Sequence, residues 1–343
     1  MRWLDQRPAF ALLALVALGT PAALAFKGND GGNQEMRFFR IATGSAGGVY
    51  FPLGGKLASV ISSPPGSLAC ERGGRCGVAG LVAVAHQTKG STENAALIDS
   101  GAMESGLVQA DIAFAATHGE RSFAGRPLSN LRAIASLFPE AIHVAVRADS
   151  TIYDIKGLRG RRVAIGPLGS GTHDDSLLVL AAYGLGSTDL DMRPVRVDDA
   201  IGDMRAGTLD AVFFLGGFPA AAMRQLAEAT PIRLLPLAGP AADALIRDKP
   251  FFKQAVIPGT IYKGVLDTVT LAVDALWLVN ADVPEDLVHG VTRALWHESA
   301  QALLASGGQV GRKLSLERAL DGLIVPLHPG AVRYYRERGI IGD

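Results

Sequence analysis

Residues Arg40 to Ser59 read RIATGSAGGVYFPLGGKLAS. The apolar segment MRFFRIAT (36–43) empties into a run of small residues and glycine, and Pro52 then stands where a helix takes its first turn. Its missing N–H costs nothing there. Leu53, Leu57, Val60 and Ile61 follow on one helical face. Strand, glycine turn and helix make a βα unit, and such a turn leaves bare N–H groups at the helix start, where anions collect. Thr43, Gly44, Ser45, Gly48, Val49 and Tyr50 are therefore candidate ligand contacts, with Tyr50 adding a flat wall and a hydroxyl.

The same alternation continues along the chain after this unit. GLVAVAH (80–86) predicts a strand, and KGSTENAALIDSG (89–101) a helix capped by Ser91 and stopped by Gly101. GLVQADIAFAATHG (106–119) predicts a short strand running into a helix with Gln109 at the junction. LRAIASLFPEAIHVAVRAD (131–149) predicts two strands broken at Pro139, a crossing between lobes. A second series, RRVAIGPLGSGTHDDSLLVLAAYGLG (161–186) and DDAIGDMRAGTLDAVFFLGGFPAAAMRQLAEA (198–229), repeats strand, glycine turn and helix. The chain returns through TVTLAVDALWLVN (268–280) to one long helix, 284–306, with Leu287, Val291 and Leu295 as its core stripe. The expected fold is α/β with mainly parallel sheets in two lobes. Lobe 1 is 36–142 plus 269–343 and lobe 2 is 143–268, with bending near His143 to Arg147 and Tyr262 to Thr268.

Lysine plus arginine equals aspartate plus glutamate, 33 each, so no basic field recruits nucleic acid or an anionic membrane. The first residues carry Arg2 and Arg7, an apolar run from Ala9 to Leu18 and the small-residue site Ala23-Leu24-Ala25. That is the pattern of a signal peptide cleaved after Ala25, followed by a flexible leader (26–35). The only two cysteines, Cys70 and Cys76, flank a glycine-containing loop, and export makes a disulfide their expected state. Without a histidine or further cysteine close in sequence, the pair cannot complete a tetrahedral metal shell.

The second glycine turn, GPLGSGT (166–172), offers Ser170, Gly171 and Thr172 to an anion, although a plain strand-to-helix turn uses the same residues. It lacks the lysine of a nucleotide P-loop, and no third glycine completes a dinucleotide fingerprint. G-x-S-x-G occurs at neither Ser45 nor Ser170, which removes the usual hydrolase elbow. The seven histidines form no ligand pair; in His173-Asp174-Asp175 the acids sit where a helix dipole favours them.

Taken together, IATGSAGGVYFPLGGKLA, KGSTENAALIDSG, GLVQADIAF, LRGRRVAIGPLGSGT and IVPLHPGAVRYYRERG resemble the TAXI family of extracytoplasmic solute receptors associated with TRAP transporters. The similarity runs in order from about Met36 to Gly339. It implies a type II-like periplasmic binding protein, monomeric and without a cofactor, that closes over a small organic acid and delivers it to a TRAP permease. Carried over by position, contacts would come from the Thr43 to Tyr50 loop, Ser91 and Asn94, Gln109, Ser170 to Thr172, and the Gly216-Gly217 turn. The Cys-bounded loop in ACERGGRCGVAGLVAVAH (69–86) departs from the family pattern. The ligand expected is an amino acid, 2-oxoacid or dicarboxylate. The rivals are a periplasmic enzyme on the same scaffold, which would act through Ser170 or His173, and a receptor for an ABC importer or sensor kinase.

Overall fold

A computed structural model describes residues 35–306 and 308–342; the signal peptide and nearly all of the leader lie outside the described residues. In chain order the elements begin with β1 (Arg37–Ala42), α1 (Tyr50–Ile61), β2 (Ser62–Ser63), β3 (Val78–Ala79), β4 (Leu81–His86), α2 (Ser91–Asp99), β5 (Ser105–Gln109) and α3 (Ala110–His118). The crossing strand β6 (Leu131–Arg147) leads to β7 (Arg162–Ala164), α4 (Gly171–Ala182), β8 (Asp191–Arg193), α5 (Val197–Ala206), β9 (Ala211–Gly216), α6 (Ala221–Ala229), β10 (Ile232–Leu234) and α7 (Pro240–Asp248). Then come β11 (Lys253–Ile257), β12 (Thr268–Asn280), α8 (Glu285–Leu295), α9 (Glu298–Ala305) and α10 (Pro329–Glu337). Among the described residues no helix is long and apolar enough to cross a membrane.

Among the described residues a mixed sheet of ten strands carries the path β4-β1-β5-β12-β6-β9-β7-β8, with β10 also paired to β6 and β11 to β12, while β2 and β3 pair separately. Its outer parts are parallel, as β1 pairs β4 and β5, and β7 pairs β8 and β9. Its middle is antiparallel, through β5·β12, β12·β6 and β6·β9. The expectation of mainly parallel sheets therefore holds at the flanks and fails at the centre, where two strands of opposite direction link the halves.

Pro139 does not break the crossing strand. β6 runs 17 residues through it, with Pro139 opposite Asp274, and register shifts between Ala275 and Leu276 and between Trp277 and Leu278 relax the ladder nearby. Pairing changes partner here: β6 lies against β12 from Leu131 to Ala141, and against β9 from Ala141 to Val146. The helix expected over 284–306 is two helices. His297 takes an extended conformation between α8 and α9, and its ring accepts the Ser299 N–H, which caps the second helix.

Three apolar clusters back the sheet. Trp277 and Tyr335 are the largest buried side chains of the first half, and Trp277 donates to Ser105 Oγ at 3.2 Å. Cys70 and Cys76 form a disulfide with their Cα atoms 4.7 Å apart.

Candidate functional site

The parallel strands deliver their C-terminal ends to one place. β1, β4 and β5 open into Gly44 to Tyr50, Lys89 to Ser91, and Gln109; β7, β8 and β9 open into Gly166 to Thr172, Arg196 and Gly216. These ends face each other across a cavity of about 80 Å³, and Glu140 of β6 forms part of its wall. Open α/β sheets place ligands at such a crevice, outside the carboxyl ends of the strands.

Local chemistry explains each wall. α1 starts at Tyr50 with no side-chain cap and no acid in its first turn, so its leading N–H groups stay available to an anion. α4 is different: Ser170 caps it by accepting the His173 N–H at 3.1 Å, and Asp174 occupies its first turn. Thr172 Oγ is engaged by the Leu215 N–H at 3.2 Å. The two glycine turns are thus unequal, the first open and the second largely self-satisfied. Gly166 has φ of +80°, and a Cβ there would press Thr172 Cγ2 at 2.8 Å, so this turn accepts only glycine. At Gly171 a Cβ would overlap Gln109 Oε1.

Of the residues singled out in the sequence, Gly44, Ser45, Gly48, Val49, Tyr50, Ser91, Gln109, Ser170, Gly171, Thr172 and Gly216 line the cavity. Thr43, Asn94 and Gly217 stand behind its wall. Asn94 Nδ2 donates to Thr43 O at 2.6 Å and Leu107 O at 2.7 Å, and Thr43 Oγ donates to His86 O at 2.6 Å. These bonds fix the floor under the first turn. A Cβ on Gly217 would meet Phe138 and Val310 at 2.9 and 3.1 Å, so this glycine serves close packing. Ser91 is no cap, because Gly90 holds that position; its Oγ accepts the Gln109 N–H at 3.1 Å instead and ties α2 to the end of β5.

The sequence did not draw attention to Lys89, Arg196, Phe213, Phe214, Leu215 or Glu140, all of which line the cavity. Glu140 carried a usable signal, being the lone acid of the apolar strand β6. It is 1% exposed and accepts the Tyr50 hydroxyl at 2.7 Å. Burial pushes its carboxyl up to about 8, against the opposing pull of the Tyr50 and Gln109 side chains and the Gly217 N–H. Burial raises the Tyr50 hydroxyl as well, with the Glu140 charge adding to it. Near neutral pH the lining therefore carries the cations of Lys89 and Arg196 beside an acid held mostly neutral. Gln109 Oε1 is buried without a partner.

Both flanks of the cavity are closed by contacts between the two halves. On one flank the Glu93 N–H donates to Gly169 O at 2.9 Å, and Ser122 Oγ donates to Asp174 Oδ1 at 2.8 Å. Beside them Arg121 Nη1 reaches Asp111 at 2.7 Å and Asp175 at 3.3 Å. Burial, with the neighbouring Asp111 charge, raises Asp175 well above the usual carboxylate range while Arg121 opposes the shift. On the other flank the Ala222 N–H donates to Gly47 O at 3.0 Å. The acids of His173-Asp174-Asp175 thus hold the halves together, and His173 Nδ1 lies 3.3 Å from Gly166 O. A second buried network sits beneath: the Tyr262 hydroxyl accepts the Ala220 N–H at 3.2 Å and lies 3.1 Å from His143 Nε2. Burial pushes His143 down to about 4 and keeps it neutral.

The model of the NMT1-like family matches residues 41–339. The chain belongs to that family. Among solved structures, the periplasmic binding protein BugD overlays this NMT1-like protein with a TM-score of 0.51 at 13% identity, covering 89% of this chain and 94% of that chain. The periplasmic aliphatic sulphonate binding protein SsuA from Escherichia coli overlays at 0.44 and 15% identity, covering 79% and 74%. At such identities the likeness is one of fold, and the BugD overlay carries it. This NMT1-like protein has the mixed α/β, two-lobed fold of a periplasmic binding protein, which bears out the broader part of the family resemblance read from its motifs.

Proposed function

We propose that this protein is an exported solute receptor that captures a small organic acid in the periplasm and hands it to a membrane permease of the TRAP type. One observation carries the proposal: a cavity walled by both halves, in which the uncapped start of α1 meets Lys89 and Arg196 while burial keeps Glu140 largely neutral. Such a lining favours a negatively charged solute. The bodies that close are residues 36–142 with 269–343, and residues 143–268. The contacts are Gly44 to Tyr50, Ser91, Gln109, Ser170 to Thr172 and Gly216, with Thr43, Asn94 and Gly217 setting their position. The permease class rests on the ordered TAXI-like motifs, and genes beside this one encoding TRAP membrane subunits would support it.

A thermal-shift panel tests the ligand class on protein stripped of bound solute. A true carboxylate ligand at one hundred times its Kd stabilises the fold by about 2.7 kcal/mol. If no carboxylate moves the melt while a neutral sugar does, the anion proposal fails.

A further inference from the structure

The disulfide loop lies outside the cleft, and the fold brings to it a residue from the far end of the chain. His297, in the break between α8 and α9, places a ring nitrogen within 4.8 Å of both cysteine sulfurs, and all three ligand atoms lie within that distance of one another. None of the three residues is fully buried. Sequence spacing alone hides this histidine, so the pair looks too poor in ligands for a metal.

We propose that Cys70, Cys76 and His297 form a redox-gated site for a thiophilic ion such as Zn²⁺, open when the disulfide is reduced and shut when it is formed. Two thiolates and one imidazole leave a fourth tetrahedral position for water. With Zn–S bonds of about 2.3 Å, tetrahedral sulfurs stand roughly 3.8 Å apart and sulfur and nitrogen somewhat closer. The bonded sulfurs must part to that separation on reduction, while the His297 nitrogen already lies within 4.8 Å of both.

The loop has hydrogen bonds of its own besides the S–S bond. The Gly73 N–H donates to Cys70 O at 3.0 Å, the Gly74 N–H to Ala69 O at 3.0 Å, and Arg75 Nη1 to Ser59 O at 3.3 Å. For the ring to ligate through Nε2, Nδ1 must carry the proton, so it gives up the Ser299 N–H that it accepts in the disulfide form and donates instead to Ser299 Oγ, 2.9 Å away, the outer contact that orients a metal-bound imidazole. The chemistry balances with a dithiol as reductant. The disulfide takes two electrons and two protons from the dithiol, which itself becomes a disulfide, and the ion then displaces both thiol protons into solvent.

The test is a Zn²⁺ titration of the full chain against a chromophoric chelator, with and without prior reduction. The reduced protein should take one ion per chain and the oxidised protein none. His297→Ala should weaken binding at least about tenfold, since even outer-shell changes cost that much. Reduced protein that binds no better than Cys70→Ser/Cys76→Ser overturns the proposal, as does His297→Ala matching the wild type. Should reduction unfold the chain, Cys70→His/Cys76→His tests in air whether the three positions converge on one ion: one bound Zn²⁺ that is lost on adding His297→Ala supports the site, and none bound, or binding that His297→Ala leaves intact, refutes it.

Discussion

Replacing Glu140 by glutamine keeps the shape of the side chain and an oxygen able to accept the Tyr50 hydroxyl, and removes the titration. The carboxyl moves from its ordinary 4.5 to about 8 on folding. A raised acid binds its proton more tightly in the folded state, so its stabilisation is full below the unfolded value and is lost as pH climbs through about 8. Between pH 5.5 and pH 8.5 that linkage removes about 3 kcal/mol from the wild type and nothing from Glu140→Gln. With a urea slope near 3 kcal/mol per molar, expected at this size, the wild-type midpoint should fall by about 1 M more than that of the variant. Asp174 and Asp175 titrate in both proteins, so the difference isolates Glu140. Equal midpoint shifts in the two proteins would mean that Glu140 is already ionised in its pocket, and the neutral-acid account of the cavity would be wrong.

Two further outcomes follow from the flanks and the floor of the cleft. Arg121→Met leaves Asp111 and Asp175 buried without their shared cation and should cost about 3–5 kcal/mol. The deficit should shrink at low pH as Asp175, whose burial raises its carboxyl, protonates; calorimetry showing a melting change under about 2 °C at neutral pH would contradict it. Gly171→Ala puts a methyl group where Gln109 Oε1 lies. It should weaken carboxylate binding tenfold or more, about 1.4 kcal/mol, with little change in the ligand-free melt, and an unchanged Kd by calorimetric titration would show that this wall does not meet the solute.

Much of the site was legible because it is built from turns. Glycine before a helix, a hydroxyl at a strand end and proline in a first turn each report a local backbone need, and most of the residues chosen that way reach the cavity. Residues whose role depends on distant partners escaped. Asn94 looks like a ligand contact until Thr43 O and Leu107 O claim its amide, and Glu140 matters because β6 changes partner beside it. Pro139 misled for a related reason, since a proline is tolerated where the ladder shifts register, and that shift depends on β12, more than 130 residues away in the chain. His297 is the same lesson in a helix: only the extended backbone between α8 and α9 turns its ring toward Cys70 and Cys76.

The paired strands β6 and β12 run in opposite directions, so the chain departs for the distal half along one rail and comes home along its neighbour. Everything between Arg147 and Thr268 hangs from that single doorway. A graft exchanging this stretch between relatives would need to match two splice points at the ends of these strands and the bonds that close the cleft, such as Glu93 to Gly169 and Ala222 to Gly47. One wall of the cavity can thus be replaced while the turns that form the other wall stay as they were.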